Sequence, residues 1–206
     1  GTAILGALWA AHVLQDSLPT RAQLLGECVS TEGHVETMAA SLLGSMVVCG
    51  GAVNGARVVA QTIPWPEDWM VIMVVPPYTL TTPQSRQVVP QHVDLADAVS
   101  NIRNSTSMVA AVINRDPLAM NEVMKDALHE PARSSLIPEL PSLKAELADA
   151  PIIGCVLSGG GPAVLILVQE IWKAKVLEQV RTWNRRQKNV CEIYDLCVDT
   201  QGMTVL

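Results

Sequence analysis

An α+β fold is the expectation from three features of the sequence. Apolar runs of strand length occur at 69–75, 152–157 and 163–168. Long stretches, 95–113 above all, carry apolar residues at helical spacing instead. Strand pairs are closed by glycine-rich turns, which makes them antiparallel neighbours rather than members of a parallel sheet.

The elements follow in order. Residues 1–14 are apolar around most of a helix circumference (Ala3, Ile4, Leu5, Ala7, Leu8, Trp9, Ala10, Ala11), the signature of a buried helix. A turn at 16–20 leaves Thr20 to cap a second helix over 21–28. After the polar break at 30–34, a small-residue helix runs over 36–43 and stops at Gly44. Strands at 45–49 and 58–63 flank Gly50-Gly51 and Asn54-Gly55, a hairpin turn. Pro64-Trp65-Pro66 is a stiff connector and the expected domain boundary, dividing 1–65 from 66–206. Beyond it come the strand 69–75, a segment 79–89 that leads to Pro90, and the helix 95–113. That helix has Leu95, Ala98, Val99, Ile102, Met108, Val109 and Val112 as inward candidates. Pro117 opens a helix expected over 118–128, and another is expected over 142–148. Strands at 152–157 and 163–168, a helix at 173–187 and a strand at 191–198 complete the chain.

Composition excludes several classes of function. Apolar residues make up 49% of the chain and charged ones 17%, so a sizeable core can form. With five Trp, two Tyr and no Phe, that core is aliphatic. A net charge of −6 argues against non-specific nucleic-acid binding. The short basic cluster Arg185, Arg186 and Lys188 reads as a solvated helix face. No apolar run reaches the ~18 residues of a membrane span. Five cysteines, an odd number without a Cys-x-x-Cys pair, fit buried thiols in a reducing compartment rather than a disulfide frame or zinc site. The cytoplasm is the expected location, or a plastid had a transit peptide been lost.

Few residues stand out chemically. Ser158-Gly159-Gly160-Gly161-Pro162 joins two buried strands, and such glycines either let the backbone approach a ligand or simply turn the chain. His34 lies between Glu32 and Glu36, which would raise its pKa and orient its ring. A lone histidine is nevertheless more often structural. Arg103 sits mid-helix among apolar neighbours. Arg133 follows Glu130-Pro131-Ala132, where the proline is expected to end a helix, and its guanidinium could fork onto a carboxylate.

In combination these segments resemble one family. Glu32-Gly33-His34 followed by Ala39-Ala40-Ser41-Leu42-Leu43-Gly44 is similar to the stretch Glu-Gly-His-Pro-Asp-Asn-Val-Ala-Pro-Ala-Leu-Gly-Gly of homoserine kinases. Leu95-Ala96-Asp97-Ala98-Val99 leading to Arg103 resembles the family helix that presents an arginine. Lys125-Asp126 through Pro131-Ala132-Arg133, then Leu136-Ile137-Pro138, resembles the family's Lys-Asp-x-x-x-x-Pro-x-Arg-x-x-Leu-Ile-Pro. The segment 156–164 resembles the third motif of the galactokinase, homoserine, mevalonate and phosphomevalonate kinase (GHMP) superfamily.

The resemblance implies a two-lobe α+β kinase: part of an N-terminal, ATP-binding lobe over 1–65 and a ferredoxin-like C-terminal lobe over 66–206. It implies an active site between the lobes, ATP and L-homoserine as substrates, and Mg2+ as cofactor. His34 and Glu36 would be catalytic. His34, Arg103 and Arg133 would bind the amino acid, Ser158, Gly159, Gly160 and Gly161 would form the glycine loop, and Glu27 would be the metal ligand. Neither nucleic acid nor membrane is an expected partner, and homodimerisation is left open. The chain departs from the family in having Val35-Glu36-Thr37 where Pro-Asp-Asn is usual. The family's phosphate loop would precede Gly1, so the 206 residues alone are expected to turn over little. Two alternatives stay open: another kinase of the superfamily, such as a mevalonate-pathway enzyme, and a non-catalytic amino-acid-binding remnant.

Overall fold

The computed structural model describes residues 2–32, 35–51 and 58–204. The chain divides into two compact units, Gly1–Trp65 with Val198–Leu206, and Pro66–Cys197. The last residues thus return to the first unit, whereas the sequence pattern leaves them in the second.

In the first unit, α1 (Thr2–Leu14), α2 (Arg21–Glu32) and α3 (Glu36–Leu43) precede an antiparallel pair, β1 (Met46–Gly50) and β2 (Val59–Ile63). Thr20 caps α2 as expected: its hydroxyl accepts from Gln23 N, and Gln23 Oε1 accepts from Thr20 N, a reciprocal capping box. The expected hairpin turn lies at 52–57, outside the described residues. Leu5, Leu24, Cys28, Met38, Ala39 and Leu42 form the core of this unit. Only Leu5 of α1 is buried, so the expectation of a buried first helix does not hold here; its neighbours in this unit cover one side of it. The C-terminal segment crosses the end of α3. Asp199 O accepts from Ser45 N at 2.7 Å and Leu42 O accepts from Met203 N at 3.2 Å. Gly44 and Gly202 meet there, both at φ 70°, and a Cβ on either would fall 2.5 Å from backbone of the other strand of the crossing.

The second unit carries a four-stranded antiparallel sheet. Its elements are β3 (Trp69–Val75), α4 (Thr82–Gln87), α5 (Leu95–Ile113), α6 (Pro117–Val123), α7 (Glu130–Arg133), α8 (Glu139–Glu146), β4 (Gly154–Leu157), β5 (Val164–Gln169), α9 (Glu170–Arg185) and β6 (Glu192–Leu196). The strand order is β4-β5-β3-β6, with β3 opposite both β5 and β6. Helices lie between β3 and β4 and between β5 and β6, which gives the βαββαβ order of a ferredoxin-like sheet. The core is Ile72, Val74, Val164, Ile166 and Val168 of the sheet against α8 (Leu140, Leu143) and α9 (Val176, Val180, Trp183). The spacing of the α9 residues is that of one helix face. Trp183 is buried with its indole N–H on Ser142 Oγ, which satisfies the ring's single donor. Of the basic cluster, Arg185 pairs with Glu178 and Arg186 with Glu146.

Two expectations fail in this unit for physical reasons. The helix after Pro117 stops at Val123, not at 128, because the Asp126 carboxylate takes the N–H groups of Leu128, His129 and Glu130. Such local side-chain acceptors compete with helix continuation. Pro131 consequently opens a new helical turn instead of ending the old one. Helix α5 has the expected bounds, but only its C-terminal half is inward. Val112 is buried, whereas Leu95 is 79% and Ile102 65% exposed.

Candidate active site

The glycine segment is a tight turn between β4 and β5. Ser158 N donates to Ala163 O and Gly161 N to Ser158 O, while Gly159 and Gly161 take left-handed φ values of 57° and 83°. Those values are natural for glycine and strained for other residues. At Gly161 a Cβ would lie 2.3 Å from Ile137 Cδ1, so the turn is also packed against the core.

Arg133 docks onto this turn. Its Nε donates to Ser85 O at 3.3 Å and its Nη1 to Gly159 O at 3.4 Å. Ser85, buried on α4, closes the arrangement by donating its hydroxyl to Gly160 O at 2.8 Å. Arg133 and the glycine turn, singled out separately in the sequence, are therefore brought together. Arg103 is not joined to them by any described bond; it is exposed on α5 and has no hydrogen bond or ion pair among the described residues.

A polar network stands behind Arg133. Asn101 Nδ2 donates to Asp126 Oδ1 at 2.7 Å, Asn101 Oδ1 accepts from Ala127 N at 2.8 Å, and Asn104 Nδ2 donates to Lys125 O at 3.0 Å. Burial pushes the Asp126 carboxyl up, but the hydrogen bonds from Asn101 and from the amides of Leu128, Glu130 and His129 outweigh it and hold the group below its ordinary value. Glu130, also buried, accepts from Leu157 N through Oε2 at 3.1 Å and pairs with Lys144 through Oε1. Sequence patterns alone assign no role to Ser85, Asn101, Asp126 or Glu130. A trace of Asp126 is visible in them: an aspartate a few residues before a proline is a pattern for a helix start.

In the first unit, His34 lies outside the described residues. Glu36 is exposed, and its Oε2 accepts from Val35 N at 3.1 Å, tying it to the start of its own helix. Glu27 faces His12, whose Nε2 lies 3.0 and 3.1 Å from the two carboxylate oxygens. The carboxylate can only accept, so this ring nitrogen carries a proton, and Ser17 Oγ holds Nδ1 at 2.7 Å. Among the described residues no group of three or more His, Cys, Asp or Glu side chains could cage a metal ion. A cleft of about 550 Å³ in the second unit is lined by Leu118, Asn121, Met124, Lys144 and Trp172 among others. It includes neither Arg103, Arg133 nor the glycine turn. No described helix is long and apolar enough to cross a membrane.

The chain is similar to known proteins both in sequence and in fold. Residues 108–185 match the family described as GHMP kinases C terminal. A crystal structure of homoserine kinase from Cytophaga hutchinsonii superposes with a TM-score of 0.84 at 23% identity, covering 96% of this chain and 64% of that one. Streptococcus pneumoniae phosphomevalonate kinase, solved with phosphomevalonate and AMPPNP, gives a TM-score of 0.68 at 12% identity over 93% and 66% of the two chains. The fold is thus that of the GHMP kinases. A homoserine kinase of Desulfitobacterium hafniense is 31% identical over 204 residues, 99% of this chain and 68% of that relative. At that similarity the chain belongs to the homoserine kinase family. It spans about two thirds of the length of the curated relatives it matches, 68% and 66% for two of them.

Proposed function

We propose that the protein phosphorylates L-homoserine with ATP, giving O-phospho-L-homoserine and ADP as a step of threonine biosynthesis. In this reaction the homoserine hydroxyl oxygen bonds to the γ-phosphorus, the bond from that phosphorus to the β–γ bridging oxygen breaks, and the hydroxyl proton is released. Such transfers depend mostly on positioning and electrostatics.

The observation that carries the reading is Arg133 set against the glycine turn. Its two bonds to backbone carbonyls are long, at 3.3 and 3.4 Å, and Nη2 has no partner among the described residues. A carboxylate offers shorter, charge-assisted, bidentate bonds, so a guanidinium held this way is ready to exchange a carbonyl for the substrate's carboxylate. Arg103 is the second cation assigned to that carboxylate. The turn 158–161, lacking side chains over most of its length, lets the substrate come close to backbone. For His34 and Glu36 the proposal keeps the catalytic role that the family resemblance implies. Magnesium accompanying ATP would neutralise phosphate charge. Glu27 suits that ion because magnesium is commonly held by one or two carboxylates plus phosphate oxygens, and His12 orients this carboxylate.

The test is a panel of alcohols offered with ATP to the complete protein that carries this chain, with ADP release as readout. Homoserine should be turned over far better than serine, mevalonate or phosphomevalonate. Preference for mevalonate or its phosphate would reassign the enzyme within the superfamily, and binding of homoserine or threonine without any turnover would leave an amino-acid-binding protein instead.

A further inference from the structure

Helix α7 is a single turn of four residues that carries Arg133. One helical turn does not hold itself together in water, because nucleation fixes several residues for one hydrogen bond. Its geometry is therefore imposed from outside. At its start Asp126 accepts from Leu128, His129 and Glu130 N at 2.8, 3.0 and 2.7 Å. Asp126 is in turn held by Asn101, whose amide also takes Ala127 N, so one side chain of α5 grips the turn through both its donor and its acceptor. Asn104, one helical turn further on, takes Lys125 O from the same face. From the other side, Glu130 is fastened to Leu157 N, the residue before the glycine turn. Apart from the Asn101–Asp126 bond, which joins two side chains, these bonds end on backbone at 125–130, leading into Arg133, or at Leu157, next to the turn it faces.

We infer that Asp126, held by Asn101, is the positioning residue for Arg133: it sets the one-turn helix so that the guanidinium lies against the glycine turn. The inference rests on the reading that Arg133 binds the substrate carboxylate. Asp126 touches no substrate; it acts through Arg133. Asparagine cannot replace it. With four N–H groups converging on two oxygens, an amide nitrogen at either oxygen position would meet a backbone donor.

The experiment compares Asp126→Asn, Asn101→Ala and the swap Asn101→Asp/Asp126→Asn in the complete protein, alone and on an Arg133→Ala background. Asp126→Asn should raise KM for homoserine about tenfold, equivalent to ~1.4 kcal/mol, and leave KM for ATP within about twofold. The swap should recover part of that loss, because the new amide can donate to the new carboxylate. On the Arg133→Ala background Asp126→Asn should add nothing to the homoserine KM, since its route of action is gone. Glu122→Gln, which removes an exposed ion pair to Lys125 beside the same turn, should behave as wild type. Full additivity with Arg133→Ala, or equal rises in both KM values, would overturn the inference, and so would lower thermal stability with unchanged kinetics. Amide hydrogen exchange on the same variants reads the clamp without a substrate. Protection should fall across 127–133 and persist across 69–75. If wild type fails to phosphorylate homoserine, the functional reading falls by itself, and unchanged exchange at 127–133 would then dispose of the clamp separately.

Discussion

The three glycines of the 158–161 turn make a graded experiment, because each is glycine for a different reason. Gly161 combines a φ of 83° with a Cβ position 2.3 Å from Ile137 Cδ1 and 3.7 Å from Leu80 Cδ2. Gly159 has a φ of 57° with open space around it, and Gly160 has no unusual φ but a Cβ position 3.1 Å from Ser85 Oγ. Placing an L-residue in left-handed backbone costs roughly 1–2 kcal/mol. Overpacking against a fully buried side chain such as Ile137 costs about 1–3 kcal/mol more. Gly161→Ala should therefore destabilise the protein by roughly 2–5 kcal/mol, Gly159→Ala by about 1–2, and Gly160→Ala by less than ~1.

Urea unfolding of the complete protein, followed by the fluorescence of buried Trp69 and Trp183, measures these differences as shifts in midpoint. The steric part has its own control. Ile137→Val removes the methyl group that the new Cβ would strike and by itself costs about 0.5–1.5 kcal/mol. Combined with Gly161→Ala it should be less damaging than the sum of the two, with a coupling of about 1 kcal/mol or more. Strict additivity, or a Gly161→Ala variant no weaker than Gly159→Ala, would show that the turn is not packed on Ile137 and would refute this account of it.

Other perturbations give equally sharp outcomes. Arg133→Ala should raise KM for homoserine at least tenfold (about 1.4 kcal/mol) while sparing KM for ATP, and Arg133→Lys should recover little of it, since an ammonium cannot reproduce a guanidinium fork. Steady-state kinetics decide, and a near-wild-type Lys variant would reduce the contact to simple charge. Gly202→Ala should unfold the first unit's C-terminal crossing, because its Cβ would lie 2.5 Å from Leu42 O, a backbone atom that cannot swing aside. Loss of amide protection at Ser45 and Met203 would report it. Burial pushes the Cys155 thiol up to about 12, so a thiol reagent at neutral pH should label exposed Cys197 in the native protein and Cys155 only after unfolding, as read by peptide mass spectrometry. Asp126 is held below its ordinary value of 3.8, so the unfolded chain binds a proton there before the native one does. The stability it supplies is present above that value and lost as pH falls through its native pKa. Acid titration of Asp126→Asn should lack this part of the loss.

Much of the fold can be read from local patterns, for reasons visible in particular segments. The helix 36–43 is bounded by a polar break and Gly44, the strand 69–75 by prolines on both sides, and the helix 95–113 by its own periodicity; each has its expected bounds in the structure. These limits are set by residues within or next to the segment, so a local reading finds them. What a local reading misses depends on partners distant in sequence. Leu95, Val99 and Ile102 have the spacing of an inward face, yet all three are exposed among the described residues, and periodicity cannot say what lies opposite a stripe. The overlong helix after Pro117 is the same kind of miss, because its end is dictated by Asp126, and Asp126 is held by Asn101, 25 residues earlier.

The site divides along the same line. Arg133 and the glycine turn are residue types with obvious chemistry, and the amino-acid sequence alone makes them conspicuous. Their juxtaposition is not legible there, because it runs through Ser85, which bonds Gly160 from 75 residues away, and through Glu130, whose carboxylate reaches Leu157 N. Serine and asparagine are common enough that no pattern singles out Ser85 or Asn101, and Asp126 shows only as part of the segment that begins Lys125-Asp126. Their significance lies in being buried or half-buried and fully bonded, a condition only the folded chain creates. Residues with reactive groups are thus recognised by type, whereas the residues that aim them are recognised by satisfied hydrogen bonds. In this chain the second set reaches from α4 and α5 to the edge of the sheet, and it converges on the one-turn helix whose last residue is the arginine assigned to the substrate.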